Sequence, residues 1–263
     1  TYTVTLDMNA TVNNFALGGV SGKQTLSIAT NGLTINLAGT IGANGAVNQS
    51  GGTLTGAGTL TVDGSYSWSG GTMTGTGSTN IQTGGRLSLG GVALTLSGRT
   101  IVSAGTASWT SGNLNITNGG IFTNQAGAVF EVLSDNQVQN SVGAGTFNNA
   151  GLFRKTGGTG GTTLAGSLAF NNTGAIDVQL GTISFGGTLS AGSFAIGIGG
   201  PAAGTQYGRV SVTGAATLSG TLNVNLNSYM PVSGATFTVM TYSSHTGTFN
   251  PVSLPTLTTG RFW

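Results

Sequence analysis

The chain has 263 residues, 38% of them hydrophobic, so it can bury a core; yet only 5% are charged and the net charge is +2. Disorder, which pairs low hydrophobicity with high net charge, is excluded, and seven Lys and Arg scattered from Lys23 to Arg261 cannot form the stripe a nucleic-acid protein needs. Forty-nine Gly without a Gly-X-Y period exclude collagen, and the absence of Cys excludes disulfides and thiolate metal sites.

The N-terminal stretch, Thr1-Tyr2-Thr3-Val4-Thr5-Leu6, alternates polar and apolar residues as a strand does. It lacks the basic start and apolar run of a signal peptide, so any targeting segment is expected to have been removed or to lie outside this sequence. No stretch reaches the ~18 apolar residues of a membrane span. A cysteine-free chain also suits passage through a secretion pore.

Further along, the chain repeats itself. Ser50-Gly51-Gly52-Thr53-Leu54-Thr55-Gly56 returns as Ser69-Gly70-Gly71-Thr72-Met73-Thr74-Gly75, with looser copies near Gly90-Gly91-Val92 and Thr110-Ser111-Gly112-Asn113-Leu114. Short alternating runs such as Thr59-Leu60-Thr61-Val62 are separated by corners such as Asp63-Gly64. A period near twenty residues with this pattern predicts an all-β, right-handed parallel β-helix (β-solenoid) with coils of about 19–25 residues. Leu54 is expected over Met73 and Val62 over Ile81. No sustained 3.6-residue period argues for helix, and the Gly, Thr and Asn density opposes it.

A second repeat, Phe-x-Asn-x-x-Gly, starts at Phe122, Phe147 and Phe170. Coils stacked at the strand spacing of ~4.8 Å would pile the three rings into an internal aromatic column. They would also join Asn124, Asn149 and Asn172 into an amide ladder. From about residue 191 the strands lengthen, and Pro231, Pro251 and Pro255 fall in this last part. The expected organisation is a repeat region over 1–190 and a C-terminal β cap over 191–263, covering the open end of the column.

The succession Gly204-Thr205-Gln206-Tyr207-Gly208-Arg209-Val210-Ser211-Val212-Thr213-Gly214, then Ala216-Thr217-Leu218-Ser219-Gly220-Thr221-Leu222, Phe237-Thr238-Val239-Met240 and Thr246-Gly247-Thr248-Phe249 resembles the C-terminal passenger region of autotransporter-type adhesins. The Phe-Asn-Asn and Ser-Gly-Gly-Thr-Leu-Thr-Gly repeats are similar to the coils that precede it there. The resemblance implies a β-helical fold and a secreted or cell-surface bacterial setting. The motifs are architectural and point to no ligand, and no membrane-barrel sequence accompanies them.

Chemistry-bearing residues are sparse. Asp7, Asp63, Glu131, Asp135 and Asp177 are the only acids, and no acid is expected one coil from Glu131 and Asp135, so these side chains read as turn and edge residues. A paired-carboxylate mechanism needs two acids held at ~5–9.5 Å. His245 lacks an acid partner for a triad and reads as a loop residue, and residues 157–161 as a flexible glycine loop. Trp68 and Trp109 close related phrases two coils apart, to pack inward at a corner or stack outward on sugars. Arg154-Lys155 is the one basic pair and the candidate ligand surface. Tyr2, Val4 and Leu6 at one end, and Phe262 and Trp263 at the other, are the candidate self-association edges.

The expected function is a non-catalytic, cofactor-free building block of a cell-surface fibre or adhesin, polymerising head to tail. A glycan- or receptor-binding adhesin stalk is the alternative, and a polysaccharide lyase or hydrolase and an ice-binding protein follow. The partners expected are further copies of the chain, then glycans or host surfaces, with no nucleic acid. For ice binding, Thr53-x-Thr55 and Thr72-x-Thr74 begin a threonine ladder that Val92 and Asn113 are expected to break.

Overall fold

The computed structural model describes residues 1–257, which form a parallel β-solenoid built from short strands of two to ten residues. A typical coil runs Ser65–Trp68, Gly71–Thr74, Ser78–Ile81, turning at a corner after each strand. Within these strands every second side chain is buried. In Ser65–Trp68 it is Tyr66 and Trp68 that face inward, because successive side chains leave a strand on opposite faces. Three strands per coil give the column three faces.

The first face is one sheet of twelve strands, from Tyr2–Thr5 to Val252–Ser253. All its pairings are parallel, and paired residues lie 18 (Ala175 and Ser193) to 23 (Thr106 and Val129) positions apart up to Ser193. The spacing then widens to 28 between Phe194 and Leu222 and 30 between Leu222 and Val252. The extra residues form excursions around 199–208 and 228–239. The sheet itself continues across residue 191, from Ala175–Val178 to Ser193–Ile198.

The second and third faces merge into a single sheet through the ten-residue strand Gly32–Ile41. Its first half pairs with Thr53–Thr55 and its second with Thr59–Val62. The third face has a discontinuity: no backbone pairing joins Ala169–Asn172 to Leu189–Ser190, which begins a separate three-stranded sheet. The Asn172 amide spans the gap, donating to the carbonyls of Ser190 (3.0 Å) and Ala191 (3.1 Å).

Like meets like inside. Leu54 lies over Met73 and Val62 over Ile81, and each added coil covers the apolar end of the one below. A single coil buries too little to offset ordering entropy of roughly 1–2 kcal/mol per residue, so cohesion comes from stacking. The corners must be thin for coils to approach: a Cβ on Gly64 would sit 2.2 Å from the Gly45 carbonyl. One expected alignment is corrected. Val92 is swung out into an exposed turn, and Thr95, not Val92, lies over Thr72, so the outward threonine column continues through Thr95 and ends at Asn115.

Candidate functional site

The Phe and Asn repeats sit in the middle of the column. Phe122 and Phe147 stack at 4.9 Å, and Phe147 and Phe170 lie 5.6 Å apart. A second column from the first face, Phe130 over Phe153 at 5.2 Å, meets them edge-on, with Phe130 5.1 Å from Phe147. Edge-to-face contact suits the ring quadrupole. The signal for Phe130 and Phe153 was the shared second position of Val129–Val132 and Leu152–Lys155, which a search for Phe-x-Asn passes over.

The inner amides form a ladder: Asn124 Nδ2 donates to Asn149 Oδ1 at 2.8 Å, and Asn149 Nδ2 to Asn172 Oδ1 at 2.7 Å. Outside the same strands, Asn171 donates to Asn148 Oδ1 at 2.9 Å in an exposed counterpart. Below Asn124 stands Ser103 in register. Asn124 Oδ1 and Ser103 Oγ are both buried without a hydrogen-bond partner among the described residues.

Arg154 and Lys155 do not form a shared surface. Strand alternation sends them to opposite sides, and Lys155 is fully buried in a column otherwise held by Trp109, Val132 and Val178. Its ammonium donates to the carbonyls of Ser134 (2.8 Å) and Gly157 (2.7 Å), to Thr162 Oγ1 (3.0 Å) and to Asp135 Oδ1 (2.8 Å). Burial pushes its pKa down, against the pull of Asp135. The Asp135 carboxylate also accepts from the Gly160 amide (3.0 Å), so the glycine-rich turn folds around this buried cation.

Arg154 faces outward within a charged column. The register places Glu131 below it and Asp177 above. Arg154 makes a 2.9 Å ion pair with Glu131, whose side chain is only 13% exposed and also accepts from the Thr156 hydroxyl. Asp177 takes a bond from the Gln179 amide, yet burial holds its carboxyl above the usual aspartate range. Glu131 and Asp177 are thus mid-strand and half-buried, not turn residues, because stacking supplies the guanidinium that a linear reading of the sequence separates by twenty-three positions.

Arg99 has a different solution. Fully buried, it lies against no carboxylate; Nε donates to Thr79 Oγ1 (3.0 Å) and Nη2 to the carbonyls of Ser78 (2.7 Å) and Gly58 (3.3 Å). Desolvation lowers its pKa to about 10. Nearby, the Tyr66 hydroxyl donates to buried Gln49 Oε1 at 2.7 Å. Trp68 and Trp109 are both fully buried with Leu89 between them, which removes them as an outward sugar platform.

His245 is exposed on the strand Ser244–Gly247, not in a loop, with its ring 4.8 Å from Tyr242. At the first coil Tyr2 and Val4 are 56% and 49% exposed, and Leu6 is half-buried against the core. Phe262 and Trp263 lie outside the described residues. Among the described residues there is no group of three or more potential metal ligands, and no helix long and apolar enough to cross a membrane.

One concave surface gathers charged groups without pairing them. At the corner leading into the first face, Lys23, Asn44, Asp63 and Arg86 line a groove of about 360 Å³ floored by Gly45, Gly64 and Gly84. The register places Gln24 beside Gly45, and Ser65 between Ala46 and Arg86. Extended outward, one position before Gln24 and Gly45 and two before Ala46, Ser65 and Arg86, the same register stacks Lys23, Asn44, Asp63 and Gly84 in successive coils. No salt bridge joins Lys23, Asp63 or Arg86 to another described residue.

Fold and surface together define a parallel β-solenoid repeat protein. No protein-family model matches the chain, and no curated protein and no solved structure matches it significantly. The passenger-like segments therefore carry no family assignment; what stands is the solenoid.

Proposed function

We propose that this solenoid is a non-catalytic structural segment of a secreted or cell-surface fibre or adhesin, acting as a stiff rod that lengthens by stacking coil on coil. The observation that carries the reading is the first coil. Its strand Tyr2–Thr5 is exposed throughout and pairs on one side only, with Gln24–Ile28. Beside it Leu6, Val12, Phe15 and Leu17 are only partly covered. An edge with free backbone groups and an apolar end is a template for a further coil, supplied by more of the same polypeptide or by a second copy. Twelve strands in one sheet at ~4.8 Å give a rod of about 50 Å.

Electron microscopy and sedimentation of the purified chain over a wide concentration range test the proposal. End-to-end rods, longer at higher concentration, are expected. Discrete monomers at high concentration would overturn polymerisation, and turnover of any member of a polysaccharide panel would overturn the non-catalytic reading.

A further inference from the structure

The chain carries twelve charged side chains, and most of those described are satisfied within the column. Arg154 pairs with Glu131 and Lys155 with Asp135, Asp177 stands in register over Arg154, and Arg99 is spent on carbonyls and a hydroxyl. Five described charges make no ion pair with a described residue and are not satisfied in this way. Asp7 is exposed and Arg209 keeps a buried Nε without a partner, each away from the groove, whereas Lys23, Asp63 and Arg86 are exposed and share one groove. Arg86 is one coil beyond Asp63 without an ion pair to it, and stacking keeps Lys23 from Asp63 altogether. Lys23 and Asp63 sit two coils apart, about 9.6 Å at the strand spacing, and the Asn44 amide between them donates to the Gly19 carbonyl at 2.9 Å.

We propose that this corner groove binds an acidic saccharide, whose sugar residues bear a carboxylate and neighbouring hydroxyls. Arg86, one coil beyond Asp63, takes the carboxylate of one sugar residue with its two-pronged guanidinium, and Lys23, three coils and about 14 Å from Arg86, takes the carboxylate of a further residue of the same saccharide. Asp63 can only accept, so it calls for donors, and ring hydroxyls supply them; Asn44 Oδ1 is a second acceptor. The glycine floor lets a ring approach the backbone. Two of those glycines are enforced, since a Cβ on Gly45 would lie 2.7 Å from the Leu17 carbonyl and one on Gly64 2.2 Å from the Gly45 carbonyl, while Gly84 has open space around it. No aromatic ring lines the groove, so it offers no stacking platform to an uncharged sugar. A phosphate dianion would meet the repulsion of Asp63 and leave it without a donor. The site is independent of whether rods stack end to end.

The test is calorimetric titration of the full chain at low ionic strength with trigalacturonate, triglucuronate, neutral trigalactose and inorganic phosphate. Binding of at least one uronate, at least tenfold tighter than trigalactose and phosphate, is expected. Arg86→Gln and Lys23→Gln should each weaken it at least tenfold, while Arg154→Gln, outside the groove, leaves it unchanged. Asp63→Asn is decisive: hydroxyl recognition requires weaker uronate binding, whereas a simple anion site becomes tighter when the repelling carboxylate is removed. No uronate binding, equal affinity for trigalactose or phosphate, or tighter binding by Asp63→Asn would each overturn the assignment. Because all three side chains are exposed, unchanged circular dichroism and melting are expected of the variants.

Discussion

Replacing Asn149 by Ala removes the middle rung of the inner amide ladder. Three hydrogen bonds go: the one accepted from Asn124 (2.8 Å) and those donated to Asn172 Oδ1 (2.7 Å) and the Ala175 carbonyl (3.3 Å). Asn124 Nδ2 keeps a bond to the Leu152 carbonyl at 3.1 Å, but no other donor serves the Asn172 oxygen. One orphaned buried acceptor costs about 1–3 kcal/mol and each of the two other lost bonds about 0.5–1.5 kcal/mol, so the loss is about 2–6 kcal/mol. Asn171→Ala removes the exposed rung to Asn148, where water replaces the partner, and should stay within about 0.5 kcal/mol. Urea unfolding of both variants, followed by circular dichroism, makes the comparison internal. Equal losses would refute the argument that burial, rather than the amide–amide bond itself, gives the ladder its worth.

Ser103→Asn should extend the ladder downward by offering a donor to the unpartnered Asn124 Oδ1, raising stability by about 0.5–1.5 kcal/mol; an unchanged urea midpoint counts against it. Asp177, whose native carboxyl is raised by burial, holds its proton longer in the folded than in the unfolded chain. Its contribution is therefore fully present below the unfolded aspartate value and declines as pH rises through the native one. The Asp177→Asn minus wild-type difference in stability should grow across that interval, and a pH-independent difference would contradict the assignment. Gly64→Ala should cost about 1–3 kcal/mol through overpacking against the Gly45 and Gly42 carbonyls, while Gly84→Ala, with nothing within 4 Å of the new methyl, should be neutral or slightly stabilising. Thermal melts of the two separate contact from composition.

The architecture was legible because a solenoid writes its contacts at a nearly fixed period. Phe122, Phe147 and Phe170 stand 25 and 23 positions apart, and the same offset that makes them neighbours makes Asn124, Asn149 and Asn172 neighbours. What escaped were relations set by corner lengths and strand parity. A longer turn at Val92 displaced the threonine register. Alternation separated Arg154 from Lys155, although a basic pair reads as one patch along the sequence. Asp135 and Lys155 meet across twenty positions, and Arg99 reaches the carbonyl of Gly58, forty-one positions away, with neither motif nor charge partner to announce it. The groove residues Lys23, Asp63 and Arg86 belong to no repeat phrase, and only stacking brings them to one corner.

The gap between Ala169–Asn172 and Leu189–Ser190 bears on how such a molecule answers mechanical load. A linear array has the strength of its nearest-neighbour interfaces, and here one wall lacks its backbone bonds, the Asn172 side chain standing in for them. A recess of about 180 Å³ opens beside it onto Phe170 and Phe185. Tension along the axis should open that wall at the seam and leave the coils through Asn172 as an intact block. The strain would be confined to a place where it can heal, because the other two walls stay registered and guide the halves back together.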